Sequence, residues 1–276
     1  QRHAVHRERL VVEPFRQRYG PWAVVAGASE GIGASFSRKL AARGFDLVLV
    51  ARRAGPLEEL AAELRAKHPI SVHVHPMDLG ENDVIDRLHE LTADLDVGLV
   101  IYNAAYSPIG AFIDIEVEHH LNAVGVNVLG TLRVSHYFGR RLAERGRGGL
   151  ILMSSMSSFQ GTAMVANYAA TKAYDKILAE GLWYELGQRG VDVLGCIAGA
   201  TLTPSYQGST DRMPKSGLNH PMIPDDVTEQ ALRDLGRRPS AVSGRRNRWA
   251  SVLLSRLLRR EAAIRMVSRE TEHMYR

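Results

Sequence analysis

Short apolar runs alternate with longer stretches of helical periodicity along most of the chain. Trp22 to Ala26, Asp46 to Val50, Ile70 to His75, Gly98 to Tyr102, Gly149 to Met153 and Val191 to Ile197 each read as a strand. Helical spacing fills the intervals: a run ending near Arg43, Leu57 to Lys67, about Asn82 to Leu91, Glu118 to Glu144, and a helix through Tyr168 to about Gln188. Asp225 to Gly236 adds a helix capped by Asp225 or Asp226, and Ser240 to Ser243 a seventh strand. This order predicts an α/β fold: a doubly wound parallel sheet of about seven strands, right-handed crossovers, and helices on both faces. One domain is expected over residues 1–276, with an N-terminal arm (1–20), a Pro-rich lid (203–224, with Pro204, Pro214, Pro221 and Pro224) and a basic helical extension (245–276).

Composition narrows the picture. A chain of 276 residues, 45% hydrophobic, can bury one sizeable core. It has no run of eighteen apolar residues, and Gln1 to Arg18 is too rich in charge for the apolar centre of a signal peptide. The first residue is Gln1, so an initiator methionine or a longer native N-terminus is expected. Cys196 is the only cysteine, which excludes an internal disulfide and suits a reducing cytoplasm; its apolar setting predicts an inert thiol. His73 and His75 lack a third ligand nearby, so no metal site is expected. The net charge of +5 is local: Arg237 to Arg276 holds eleven Arg and three Glu, a net of +8. No nucleic-acid motif accompanies it, and no nucleic-acid partner is expected.

Candidate chemistry gathers after the strands. Gly27, Gly31 and Gly33 follow the first strand and open a helix, a turn in which backbone N–H groups and the helix N-terminus can hold a pyrophosphate. After the second strand stands Ala51-Arg52-Arg53 where an NAD site carries an acid. Arg52 or Arg53 can pair with a 2′-phosphate and Ser29 can add a hydroxyl, so NADP(H) is expected over NAD(H), with Glu30 an awkward neighbour. Asp78 either accepts from the adenine amino group or caps the following helix, and both readings stay open. Asn127, with Gly125 and Gly130 close by, is either a core amide or the holder of an ordered water. Tyr168 and Lys172 are four apart on one helical face, where an ammonium favours the phenolate. Arg52, Asp78, Asn103, Ser155 and Gly199 all follow strand C-termini, the ligand edge of such a sheet.

With those residues in place, the chain resembles the short-chain dehydrogenase/reductase family, Rossmann-like in fold, over roughly Trp22 to Pro204. The family's Thr-Gly-x-x-x-Gly-x-Gly turn is matched by Ala26 to Gly33, its Asn-Asn-Ala-Gly segment by Tyr102-Asn103-Ala104-Ala105, and its Tyr-x-x-x-Lys by Tyr168 and Lys172. Ser155 stands thirteen residues before Tyr168. The resemblance implies that Ser155 binds the substrate oxygen, Tyr168 is the acid/base, Lys172 binds the nicotinamide ribose and lowers the Tyr pKa, and Asn127 holds a proton-relay water. It implies cofactor contacts from Gly27, Ser29, Gly31, Ile32, Gly33, Arg52, Arg53, Asp78, Leu79, Asn103, Ala104, Tyr168, Lys172, Gly199, Thr201 and Thr203. Ala26, Ala105 and Ala198 depart from the family pattern without removing a group from the tetrad.

The implied reaction is hydride transfer between a nicotinamide and a hydrophobic ketone or secondary alcohol: acyl, terpenoid or steroid-like. The rival is a non-catalytic NADP(H)-binding regulator. Substrate contacts are expected from Tyr106, Phe159 and Tyr206, with Met164, Met213 and Met222 adding apolar surface. Trp249 to Val267 reads as one basic amphipathic helix that either packs on the protein or a second subunit, or lies on an anionic membrane. A homodimer or homotetramer is expected.

Overall fold

Residues 15–210, 212 and 220–275 are described by a computed structural model. Most of the N-terminal arm, and Met213 and Pro214 of the expected lid, lie outside the described residues. Seven strands form one sheet: β1 (Trp22–Ala26), β2 (Asp46–Ala51), β3 (Val72–Pro76), β4 (Val97–Tyr102), β5 (Gly148–Ser155), β6 (Val191–Ala198) and β7 (Ser240–Val242). Their order is β3-β2-β1-β4-β5-β6-β7, and every neighbouring pair is parallel.

The crossovers are α1 (Gly31–Ala42), α2 (Ala54–Lys67), α3 (Val84–Thr92), α4 (Val117–Val124) leading into α5 (Thr131–Arg145), and α6 (Ala166–Gly187). After β6 come α7 (Pro204–Ser209) and α8 (Pro224–Asp234), and after β7 come α9 (Arg245–Val252) and α10 (Arg260–Tyr275). Because successive side chains alternate across a strand, Val25, Leu49 and Ile101 enter one core, with Phe36 and Leu40 of α1, Leu57 of α2 and Val227 of α8. Val24, Val48 and Val100 enter the other, with Leu88 of α3, Phe138 of α5 and Ala179 of α6. Both faces are dry, which is why the strands are nearly continuous apolar runs.

Three local expectations are corrected. The run Glu118 to Glu144 is not one regular helix: Gly125–Gly130 forms a wider π turn between α4 and α5. The cause is Tyr102, whose hydroxyl donates to the Val126 carbonyl at 2.6 Å and occupies space that a Cβ on Gly130 would fill. The helix after the lid begins at Pro224, so Asp225 and Asp226 lie in its first turn and neither caps it; Asp225 accepts from Ser35 at 2.6 Å. The segment Trp249 to Val267 is broken at Leu258, which is extended, and α10 begins only at Arg260.

Among the described residues no helix is long and apolar enough to cross a membrane, and no group of three His, Cys, Asp or Glu is placed to hold a metal ion. Cys196 is buried in β6 beside Ser243, and burial pushes its thiol up to about 12. Cys196 should therefore resist a disulfide reagent at neutral pH in the native protein and react only on unfolding. Rapid native labelling in a thiol assay would contradict this burial.

Candidate active site

All six loops that leave β1 to β6 at their carboxyl ends open onto one cleft of about 1290 Å³. Ordinary backbone could not make its floor. Gly27 has φ 84° and a Cβ there would sit 2.5 Å from the Ala104 nitrogen; Gly31 has φ 56° and a Cβ would sit 2.6 Å from the Thr203 methyl. Gly33 does not line the cleft; it lets α1 pack against the Gly27 carbonyl. Asn103 ties the same turn to β4 by donating to the Gly27 carbonyl at 2.9 Å. The first turn of α1 has no side-chain cap and no acidic residue, so its N–H groups are left for an anion.

At the β2 end, Arg53 donates to Glu30 at 2.5 Å, so the acid of the glycine turn is already neutralised by a neighbour. Arg52 is exposed and makes no hydrogen bond or ion pair with any described residue. Asp78 accepts from the Gly80 N–H at 2.9 Å and bends the loop; α3 starts only at Val84, so Asp78 is not its cap. Ser29, Ile32, Leu79, Ala104 and Gly199 line the cleft as well. Thr201 is turned onto the Gly199 carbonyl at 2.9 Å, and Thr203 caps α7 by accepting from the Tyr206 N–H at 3.1 Å.

The structure separates the two serines at the end of β5. Ser154 is spent on the Lys172 carbonyl at 2.7 Å. Ser155 accepts from the N–H and the hydroxyl of Ser157, at 3.2 and 3.0 Å, which leaves its own proton for a ligand oxygen. Tyr168 and Lys172 both reach the cleft from α6, with Nζ 5.9 Å from the Tyr168 ring centre. Asn127 sits in the π turn behind them, fully buried. Its amide donates to Thr171 and to the Tyr106 carbonyl, both at 2.9 Å, and accepts from the Tyr106 N–H at 2.8 Å.

One partner escapes a reading of spacing alone. Lys172 donates to the Met153 carbonyl at 2.8 Å and to Asp175 at 2.9 Å, and both charged side chains are buried. Burial alone would lower the Lys172 pKa, but the charges of Asp175 and Tyr168 and the hydrogen bond that Lys172 donates to Asp175 outweigh it and hold it above the usual lysine value.

The short chain dehydrogenase family model matches residues 21–214. A 7β-hydroxysteroid dehydrogenase of Clostridium sardiniense is 36% identical over 234 residues, 85% of this chain and 89% of its own. A solved 7β-hydroxysteroid dehydrogenase structure superposes with a TM-score of 0.85 at 30% identity, covering 92% of this chain and 98% of that one. A short-chain dehydrogenase from Sphingobium yanoikuyae, solved with NADPH, gives 0.75 at 28% identity, with 84% and 92% covered. This chain belongs to the short-chain dehydrogenase family. The dehydrogenase is an oxidoreductase that interconverts CH–OH and C=O groups.

The far wall of the dehydrogenase's cleft comes from its tail, where no substrate contact was expected. Met266, Val267, Thr271, Met274 and Tyr275 of α10 line it, as do Tyr106 and Tyr206, and the Tyr206 hydroxyl donates to the Met274 sulfur at 3.7 Å. Phe159 does not line it; Lys176 lies over its ring at 4.5 Å and its carbonyl accepts from Arg260 at 2.6 Å. Met164 and Met222 also stay off the lining, Met222 packing against the core. The helix is tied down along its length: Ser268 accepts from the Ala163 N–H at 3.1 Å, and the Met274 carbonyl accepts from Thr210 at 2.6 Å. The signal was present in sequence, since positions 263, 266, 267, 270, 271 and 274 share one helical face. Ala263 is fully buried on that face. Ala263→Asp should lift α10, and because burying an unpaired charge costs several kcal/mol, trypsin cleavage after Arg265 and Arg269 should quicken at least about tenfold. Unchanged proteolysis would mean that the helix does not depend on this contact.

Proposed function

We propose that this dehydrogenase uses NADP(H) to interconvert a bulky hydrophobic ketone and its secondary alcohol, of hydroxysteroid size. The observation that carries the reading is the free Ser155 proton and the Tyr168 hydroxyl on one cleft, with a charged Lys172 beneath them. The steroid-sized substrate is supported by the Clostridium sardiniense relative and by the apolar wall of α10. NADP(H) is supported by the unpaired Arg52 and by the neighbour solved with NADPH.

The donor set suits a dinucleotide. The uncapped first turn of α1 would hold the pyrophosphate, Arg52 the 2′-phosphate, the free oxygen of Asp78 the adenine amino group, and Lys172 the nicotinamide ribose. When bound, the nicotinamide supplies or accepts the hydride. Ser155 donates to the substrate oxygen, where charge develops, and Tyr168 gives it a proton or takes one back. The Lys172 ammonium attracts the negative charge that this leaves on the Tyr168 oxygen. Asn127 has both amide protons committed, so it braces the Tyr106 loop against α6 and keeps only lone-pair capacity for a water. Apolar surface from α10 excludes bulk water from the reacting carbonyl.

An absorbance assay over bulky ketones, with NADPH and NADH in parallel, tests both halves. Tyr168→Phe should abolish turnover while NADPH still binds. Arg52→Ala should weaken NADPH roughly tenfold or more and leave NADH unchanged, as expected for losing a charge-assisted hydrogen bond. Full turnover by the Phe variant, or wild-type preference for NADH, contradicts the reading.

Self-association belongs to the same proposal. Val117 and Leu121 on α4 and Ile177 and Tyr184 on α6 are exposed, and α4 packs beside α6. A second copy covering this face makes a homodimer, so light scattering should give twice the chain mass, and Ile177→Glu should return it to the monomer. A wild-type monomer at micromolar concentration would refute this.

A further inference from the structure

We propose that Asp175 is a positioning residue of this site, whose carboxylate keeps the Lys172 ammonium charged and fixed beneath Tyr168. This rests on the oxidoreductase reading above and adds to it a residue that does not itself reach the substrate. Asp175 lies one turn beyond Lys172 on α6, and the two side chains are 1% and 3% exposed. Spacing of three along a helix usually marks a solvated surface pair, worth little. Here the pair is enclosed, where removing one partner strands the other charge in a dry interior.

The hydrogen-bond geometry says what the carboxylate does. Two of the three ammonium protons are committed, one to Asp175 Oδ2 at 2.9 Å and one to the Met153 carbonyl at 2.8 Å. The third is left for the cleft that Lys172 lines. Asp175 Oδ1 has no hydrogen-bond partner. An asparagine could serve the same bond without burying a charge, so Asp175→Asn isolates what the anion adds. The ionisable groups around the pair are Tyr168 and Tyr174 on the same helix and Tyr102 of β4, with Asp78 and Arg133 acting on Tyr102 from beyond it. None of these is a second carboxylate touching Lys172 among its hydrogen bonds and ion pairs, so Asp175 is the main group that offsets the burial, with Tyr168 adding to it.

The sequence contains five lysines, so the side-chain nitrogens of protein labelled with ¹⁵N-lysine give few signals, and Lys172→Met identifies the one that matters. In the wild type this nitrogen should remain an ammonium from about pH 6 to about pH 10. In Asp175→Asn it should lose its proton within that window, because unpaired buried lysines are shifted down by up to about 3–5 pH units. The turnover number of Asp175→Asn should fall about tenfold or more, whereas adding it to Lys172→Met should change activity less than about twofold. Lys172 staying protonated in Asp175→Asn, or the two substitutions multiplying independently, overturns the proposal. If Asp175→Asn alone fails to fold, a double variant that folds again assigns the damage to the stranded ammonium and supports the proposal; a double variant that also fails overturns it. Absence of wild-type turnover on every ketone would defeat the oxidoreductase reading, and the lysine titration would still decide the pairing.

Discussion

A parallel sheet buried on both faces has nowhere to put polar chemistry except its ends. That constraint orders the whole molecule. Val24 and Val25 face opposite cores, as do Val48 and Leu49, and all four are equally dry, so the strands themselves can carry no reactive group. Right-handed crossovers then return every strand in the same direction, and the glycine turn, Arg52, Asp78, Asn103, Ser155 and Gly199 meet because they each follow a carboxyl end. Tyr168 and Lys172 join them only because α6 leaves from that edge.

Two acid–base pairs border this cleft, and their settings give them different duties. Arg53 and Glu30 are partly exposed, so their attraction is weak and screened, and the pair is free to rearrange. Lys172 and Asp175 are sealed, so they are strongly coupled and have little freedom to exchange partners. An adaptable pair thus sits beside the glycine turn and a fixed one beside Tyr168.

The strands and the glycine turn were legible because apolar runs and Gly-x-x-x-Gly-x-Gly spacing are local properties of the chain. The family resemblance, in which the serine stands thirteen positions before the tyrosine, favoured Ser155 over Ser154, and the hydrogen bond of Ser154 to the Lys172 carbonyl gives the physical reason. What escaped depends on contacts far apart in sequence. The π turn widens the backbone at Asn127 because Tyr102 reaches across from β4, and helical periodicity hardly registers such a change. Asp175 looked like any acid one turn from a lysine, and only packing buries it. The tail misled because leucines between 253 and 258 outshone the sparser stripe from Ala263 to Met274; Leu253 and Leu254 do line the cleft, but so do Met266, Val267, Thr271 and Met274 of that stripe.

The position of α10 has a practical side. Its last described residues, Met274 and Tyr275, lie in the cleft wall, and Met274 is joined to Tyr206 and Thr210. A bulky group attached to the last turn of α10 would therefore press on the wall of this cleft. Handles for purification or immobilisation belong on loops at the opposite edge of the sheet, away from this cleft.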